Sequence, residues 1–253
     1  MCGIVGGVAE RDVVAILLEG LRRLEYRGYD SAGIAVISAE QCIDRERAAG
    51  KVQTLADALQ SHPLKGQVGI AHTRWATHGK PSQKNAHPHI CRKGVAVVHN
   101  GIIENHEALK RLQLQQGYEF TSETDTEVVV HQIDKHQAEG KGLLQATRET
   151  LSELEGAYAL GVVSNSEPGR LIAARRGSPL VIGLGIGENF IASDVAALLP
   201  VTRRFIFLED GDIADITREA VIIHDAGGSV VEREVVESAL TAEATERGQY
   251  RHY

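Results

Sequence analysis

A layered α+β fold is the class this sequence predicts, on three observations. Strand-like segments lie at both ends of the chain, and a helical block fills about residues 105–154. Strands and helices never settle into the regular βαβ alternation that a doubly wound parallel sheet needs. No linker, repeat or low-complexity tract divides the 253 residues. A chain of that length allows between one and two domains, and it reads as one large domain over 1–240 followed by a polar exit segment at 241–253.

Each element has its own signal. Cys2 to Val8 is a short apolar run with three glycines, a buried strand where something approaches the backbone closely. Asp12 stands where it caps a helix whose apolar residues Val14, Leu17, Leu18, Leu21 and Leu24 follow the helical period. Tyr26 to Asp30 reads as a loop, Ala32 to Ile37 as a strand, Lys51 to Leu59 as a short helix and Val68 to Arg74 as a strand. From Ala76 to His89 there is no usable period, and a loop this long inside a compact domain points to function. Val95 to Val98 is a buried strand expected to stop at His99-Asn100-Gly101. Helices follow at about 105–116, 125–139 and 143–154, the second with Thr124 and Glu127 spaced as a capping box. The remainder reads as strands at 157–164, 170–176, 180–184, 189–193, 204–208, 212–216 and 220–225, separated by Gly and Asp turns.

Composition narrows the function classes. With 27 Lys plus Arg against 34 Asp plus Glu, the formal charge is −7. That balance argues against nucleic-acid binding and against a polybasic membrane anchor. No apolar run approaches the roughly 18 residues of a membrane helix, and no signal peptide is read at the N-terminus. Three cysteines without C-x-x-C spacing fit a reducing, cytoplasmic setting. Aromatic residues are only 4%, so the core has to be aliphatic, and six of the 11 histidines fall between His72 and His106.

Four places could carry chemistry. Loss of the initiator Met1 would leave Cys2 with a free α-amine, which titrates near about 7.7–8.0, beside a thiol near about 8.5. Base and nucleophile would then sit on one residue; the alternative is a small buried residue opening a strand. Arg74, Trp75, Thr77 and His78 lie where a strand runs into the long loop. The Arg74 fork suits a carboxylate, with Thr77 and His78 adding donors, against the alternative of a structural ion pair. Asn100 beside Gly101 offers two N–H donors for a developing oxyanion, or forms an ordinary Asn-Gly turn. Asp125 could accept a substrate ammonium, or serve only at a helix start. His72, His78, His87 and His89 could be read as a zinc cluster, but no H-E-x-x-H, paired cysteines or nearby carboxylate supports one. No metal and no cofactor is expected, and Cys42 and Cys91 are expected to be inert.

Taken together, the segments Met1-Cys-Gly-Ile-Val-Gly6, Leu24-Glu-Tyr-Arg-Gly-Tyr-Asp-Ser-Ala-Gly33, His72-Thr-Arg-Trp-Ala-Thr-His-Gly79, Asn85-Ala-His-Pro-His89, His99-Asn-Gly-Ile-Ile-Glu-Asn105 and Ser122-Glu-Thr-Asp-Thr-Glu127 resemble the glutaminase domain of the class II, N-terminal-nucleophile glutamine amidotransferases. The resemblance spans essentially the whole chain. It implies a four-layer αββα sandwich of the N-terminal-nucleophile hydrolase type, with L-glutamine as substrate. By the same resemblance Cys2 is the nucleophile, its α-amine the base, and Asn100 with Gly101 the oxyanion hole. Arg74, Thr77 and His78 hold the substrate carboxylate, and Asp125 holds its ammonium. Trp75 is the gate that closes over glutamine and controls ammonia passage to the partner domain, while Arg27 and His87 sit in motifs close to the site. Within the class the motifs favour the branch whose partner is a sugar-phosphate isomerase domain in a homo-oligomeric enzyme. Rivals are the amidophosphoribosyltransferase branch and a module that binds glutamine without chemistry.

Overall fold

The computed structural model describes residues 2–76, 79–92 and 94–239. Its strands, in chain order, are β1 (Gly3–Ala9), β2 (Ser31–Ile37), β3 (Ile43–Ala49), β4 (Val68–Arg74), β5 (His89–Cys91), β6 (Val95–Ile103), β7 (Gly156–Ser164) and β8 (Leu171–Arg176). They continue as β9 (Val181–Leu184), β10 (Glu188–Ala192), β11 (Arg204–Phe207), β12 (Ile213–Ile216), β13 (Val221–His224), β14 (Val230–Val231) and β15 (Val235–Glu237). The helices are α1 (Val14–Leu24), α2 (Val52–Ser61), α3 (His106–Gln115), α4 (Glu127–Ala138) and α5 (Leu143–Glu153).

Two sheets result, one ordered β15-β11-β9-β10-β1-β4-β2-β3 and the other β14-β13-β12-β8-β7-β6-β5. Neighbouring strands in both are antiparallel. Side-chain alternation along each strand separates three apolar layers. Ile4 and Val8 of β1 join Ile70, Val98 and Ile191 between the sheets. Val5, one position along, faces the other way and packs with Leu17 and Leu21 of α1 and Leu55 of α2. On the far side Val97 and Leu160 pack against Ile133 of α4 and Leu143 of α5. The order is helices, sheet, sheet, helices: the expected αββα sandwich.

Most predicted elements are present within a residue or two, with four differences. β6 does not stop at His99 but pairs with β7 through Ile103; Gly101 accommodates the bend in mid-strand with φ +136. The two- and three-residue strands β5, β14 and β15 have no counterpart in the reading above, and neither has β3, because Ile-Asp-Arg-Glu-Arg-Ala-Ala shows no clean apolar alternation. It is an edge strand, where charge is tolerated on both faces. Asp12 lies one residue before the N-cap, which is Val13; its Oδ1 accepts the N–H groups of Val14 (3.2 Å) and Gly66 (3.1 Å) and so ties α1 to the approach to β4. The capping box also differs. Glu127 reaches past Thr124 and accepts from Thr121 N (2.8 Å), Thr121 Oγ1 (2.9 Å), Ser122 N (2.7 Å) and Ser122 Oγ (2.6 Å). Met1, Thr77, His78 and the segment 241–253 lie outside the described residues.

Candidate active site

Cys2 immediately precedes β1, which lies between β10 and β4 in the middle of its sheet. Its Sγ accepts the Trp75 N–H (3.2 Å), and the thiol faces the Trp75 carbonyl at 3.5 Å. Burial raises the thiol above its ordinary pKa; the bond to Trp75 and the charge of Arg74 pull downward without cancelling it. The arrangement follows from strand register, since Gly3 pairs with Thr73 and thereby puts Cys2 beside the end of β4.

Arg74 is that end, buried at 3% exposure, with Nη2 donating to Gly79 O at 3.0 Å. The loop 25–30 presses on it from behind. A Cβ on Gly28 would lie 2.8 Å from the Arg74 carbonyl carbon, so only glycine permits the approach. Asp30 N donates to Arg74 O (3.2 Å), and the Asp30 carboxylate takes the Ala76 N–H. Trp75 beyond them is half exposed, with Tyr29 edge-on at 5.6 Å.

The second sheet supplies the other wall. Asn100 Nδ2 donates to Cys2 O at 3.1 Å, and Asn100 Oδ1 lies 3.0 Å from His72 Nε2. Asp125, 4% exposed, accepts the Ile103 N–H on Oδ2 at 2.8 Å, fixed where β6 leaves the site. On either side of it Thr124 Oγ1 meets His89 Nε2 and Thr126 Oγ1 meets His99 Nδ1, each at 2.9 Å. His87 stacks on His72 (centroids 4.3 Å, planes 20° apart) and accepts the His99 N–H on Nδ1 at 3.3 Å. The crowding of histidines is thus a buried set around the cleft, comprising His72, His87, His89 and His99. Burial drives His72 down to about 3, and drives His87 and His89 well below the usual imidazole value, so these rings are neutral.

Cys2, Arg74, Trp75, Gly101 and Asp125 line one narrow cleft, together with His87, His99, Thr124 and Thr126. Asn100 stands behind it, against the Cys2 carbonyl. Arg27 is not in the lining. Its guanidinium bonds Asp194 (2.6 Å) and the Tyr26 hydroxyl (3.0 Å), anchoring the 25–30 loop to the sheet behind the site. A larger groove lined by Val8, Asp12, Ile37 and Lys65 opens at the other end of β1, but it brings neither thiol nor imidazole. The motifs that contain Thr124, Thr126 and Asp30 give none of the three a part in the site; that part arises from packing across elements.

A glutamine amidotransferase domain family matches residues 72–200. The chain belongs to that family. Over all 253 residues this amidotransferase domain is 59% identical to the glutamine–fructose-6-phosphate aminotransferase (isomerizing) of Escherichia coli strain K12 and 57% identical to that of Yersinia pseudotuberculosis. It spans 41% of the length of these relatives. Among solved structures, the glutamine phosphoribosylpyrophosphate amidotransferase of Bacillus subtilis superposes with a TM-score of 0.77 at 26% identity, over 90% of this chain and 50% of that one. A glutamine aminotransferase class-II domain protein of Silicibacter pomeroyi shares the fold (TM-score 0.60, 14% identity, 89% of this chain and 99% of that one). The amidotransferase match at 72–200 takes in Arg74, Trp75, Asn100, Gly101 and Asp125, while Cys2 and Arg27 fall within the full-length similarity.

Proposed function

We propose that this domain hydrolyses the side-chain amide of L-glutamine through a Cys2 thioester, as the glutaminase half of a glucosamine-6-phosphate synthase. The observation that carries the reading is the joint lining of one cleft by a thiol, a guanidinium, a carboxylate and a strained glycine N–H. Glutamine is a zwitterion with a neutral amide and calls for one of each. Arg74 takes the α-carboxylate, with Thr77 and His78 beside it, and Asp125 takes the α-ammonium. Trp75 closes over the bound substrate, with His87 beneath and Arg27 holding the neighbouring loop.

With Met1 removed, the Cys2 amine accepts the thiol proton and the sulfur attacks the amide carbon, forming the C–S bond. The carbonyl oxygen becomes an oxyanion held by Gly101 N–H and the Asn100 amide; one such donor is worth roughly 2.7–4 kcal/mol. As the C–N bond breaks, the amine returns its proton to the departing ammonia. Water then cleaves the thioester to glutamate and regenerates the thiol. The raised thiol pKa fits this scheme, because a thiol left protonated at neutral pH needs a base at hand.

In the longer protein the ammonia would pass to a sugar-phosphate isomerase domain and convert fructose 6-phosphate to glucosamine 6-phosphate, in a homo-oligomeric cytoplasmic enzyme. The names and 57–59% identity of the relatives support this branch over amidophosphoribosyltransferase, for which the similarity is 26%. Glutamate release by the chain and by Cys2→Ala tests the chemistry. The variant should lose at least roughly a thousandfold in kcat, keep its circular dichroism and still bind glutamine. Intact mass should show loss of Met1. Undiminished hydrolysis by Cys2→Ala would remove the nucleophile assignment.

A further inference from the structure

The layer between the sheets is built mainly from aliphatic side chains. Ile70, two residues before His72 on the same face of β4, belongs to it, yet position 72 carries an imidazole at 0% exposure. A polar ring in such a place is tolerated only if it is bonded. His72 Nε2 makes two contacts, 3.0 Å to His99 O and 3.0 Å to Asn100 Oδ1. A peptide carbonyl can only accept, so the proton of the neutral ring sits on Nε2 and is shared between both oxygens. Nδ1 is the bare nitrogen, and among the described residues it has no hydrogen-bond partner. The stacked His87 ring, 4.3 Å away, covers one face of the imidazole.

This proton decides the orientation of the Asn100 amide. With Oδ1 on the imidazole N–H, the NH2 group faces the Cys2 carbonyl, where it donates at 3.1 Å. Turned over, the amide would set NH2 against N–H on one side and oxygen against a carbonyl on the other, losing both bonds. One hydrogen of the NH2 group is taken by the Cys2 carbonyl, which leaves the second uncommitted among the described residues. We propose that His72 is a positioning residue for amide hydrolysis: its Nε2–H fixes the Asn100 side chain with the NH2 toward Cys2, so that this donor is in place before the oxyanion forms. The inference rests on the function proposed above. Because burial holds the ring neutral, the arrangement persists across the working range of the thiol.

Glutamine hydrolysis by the full chain tests it with His72→Phe, which removes the N–H, and His72→Gln, whose amide nitrogen reaches about as far as Nε2. His72→Phe should lower kcat up to the roughly 10²–10³-fold lost with an oxyanion donor, with KM for glutamine within about threefold of wild type. His72→Gln should recover at least tenfold of that loss. On an Asn100→Ala background, His72→Phe should cost little further, since the two act through one donor. Equal losses in the Phe and Gln variants, full additivity with Asn100→Ala, or a kcat for His72→Phe near wild type would overturn the proposal. A measurement on the unaltered chain stands if the variants fold poorly. Nitrogen-15 NMR should find His72 as the neutral Nε2–H tautomer at neutral pH, and an Nδ1–H or charged ring defeats the inference. A wild-type chain as inactive as Cys2→Ala would instead defeat the glutaminase reading, while the tautomer is still read.

Discussion

In the proposed reaction Arg74 and Asp125 divide the work of holding a zwitterion, and their surroundings say how each should fail. Arg74 is almost wholly buried at the end of β4, so a carboxylate bound there is desolvated and the pair is strong. Truncating one member of such a pair costs roughly 2–5 kcal/mol. Arg74→Ala should therefore raise KM for glutamine by at least about thirtyfold, and Arg74→Lys should not restore it, because an ammonium lacks the planar fork. An unchanged KM would move the carboxylate clamp elsewhere. Asp125→Asn keeps an oxygen for the Ile103 N–H but loses the charge. Its KM should rise at least about tenfold with unaltered thermal stability; a fall in stability with normal KM would make Asp125 structural. These residues were legible because each lies in a local pattern with a chemical meaning. The bonds of Thr124 and Thr126 were not, because they run to His89 and His99 on neighbouring strands and the 122–127 segment does not announce its partners.

At the scale of elements, the strand that carries Asn100 and Gly101 differs most from its sequence reading. An Asn-Gly pair ordinarily ends a strand in a turn; here β6 continues through it in register with β7. Gly101 adopts φ +136, and a Cβ there would come within 2.0 Å of Ala157 O. Gly101→Ala should lose at least roughly 1–3 kcal/mol from backbone strain alone, read as a lower urea midpoint, and kcat should fall with it. A variant of wild-type stability would show that the bend is not required. Edge strand β3 was hidden for another reason. Its arginines act as struts rather than as a face: Arg45 Nη1 donates to Pro88 O (3.1 Å) and Arg47 Nη1 to Ala86 O (2.8 Å). The long 76–89 loop, recognised as irregular from its composition, is held by a strand that its own sequence does not announce.

For the molecule as a whole, the layered class, every helix and the longer strands except β3 followed from periodicity, because aliphatic alternation is what sorts side chains into three apolar layers, whereas the two- and three-residue strands β5, β14 and β15 are too short to show a period. The stacking of two sheets was less legible; it came from the resemblance, since period-two patterns fix faces but not which faces meet. Glu127 is among the acid-sensitive anchors of global stability. Burial alone would raise the Glu127 carboxyl, but the Ser122 and Thr121 donors outweigh it and hold the group below its ordinary value of 4.5. A depressed carboxyl stabilises the fold above its unfolded pKa, and that contribution is lost as pH falls through the folded value. Glu127→Gln should thus cost about 1.5–3 kcal/mol at neutral pH, and its gap from wild type in urea unfolding should shrink below about pH 4. A gap constant with pH would exclude the charged form as the source.

The central place of β1 bears on how the protein is made. Val5 pairs with Ala71 on one side and Ala192 on the other, so the strand beside Cys2 acquires one neighbour early in synthesis and the second only after most of the domain has left the ribosome. Pairings this distant along the chain form slowly. Half of the scaffold around Cys2 therefore stays open until residue 192 has emerged, and the nascent chain carries its thiol through that interval without a finished cleft around it.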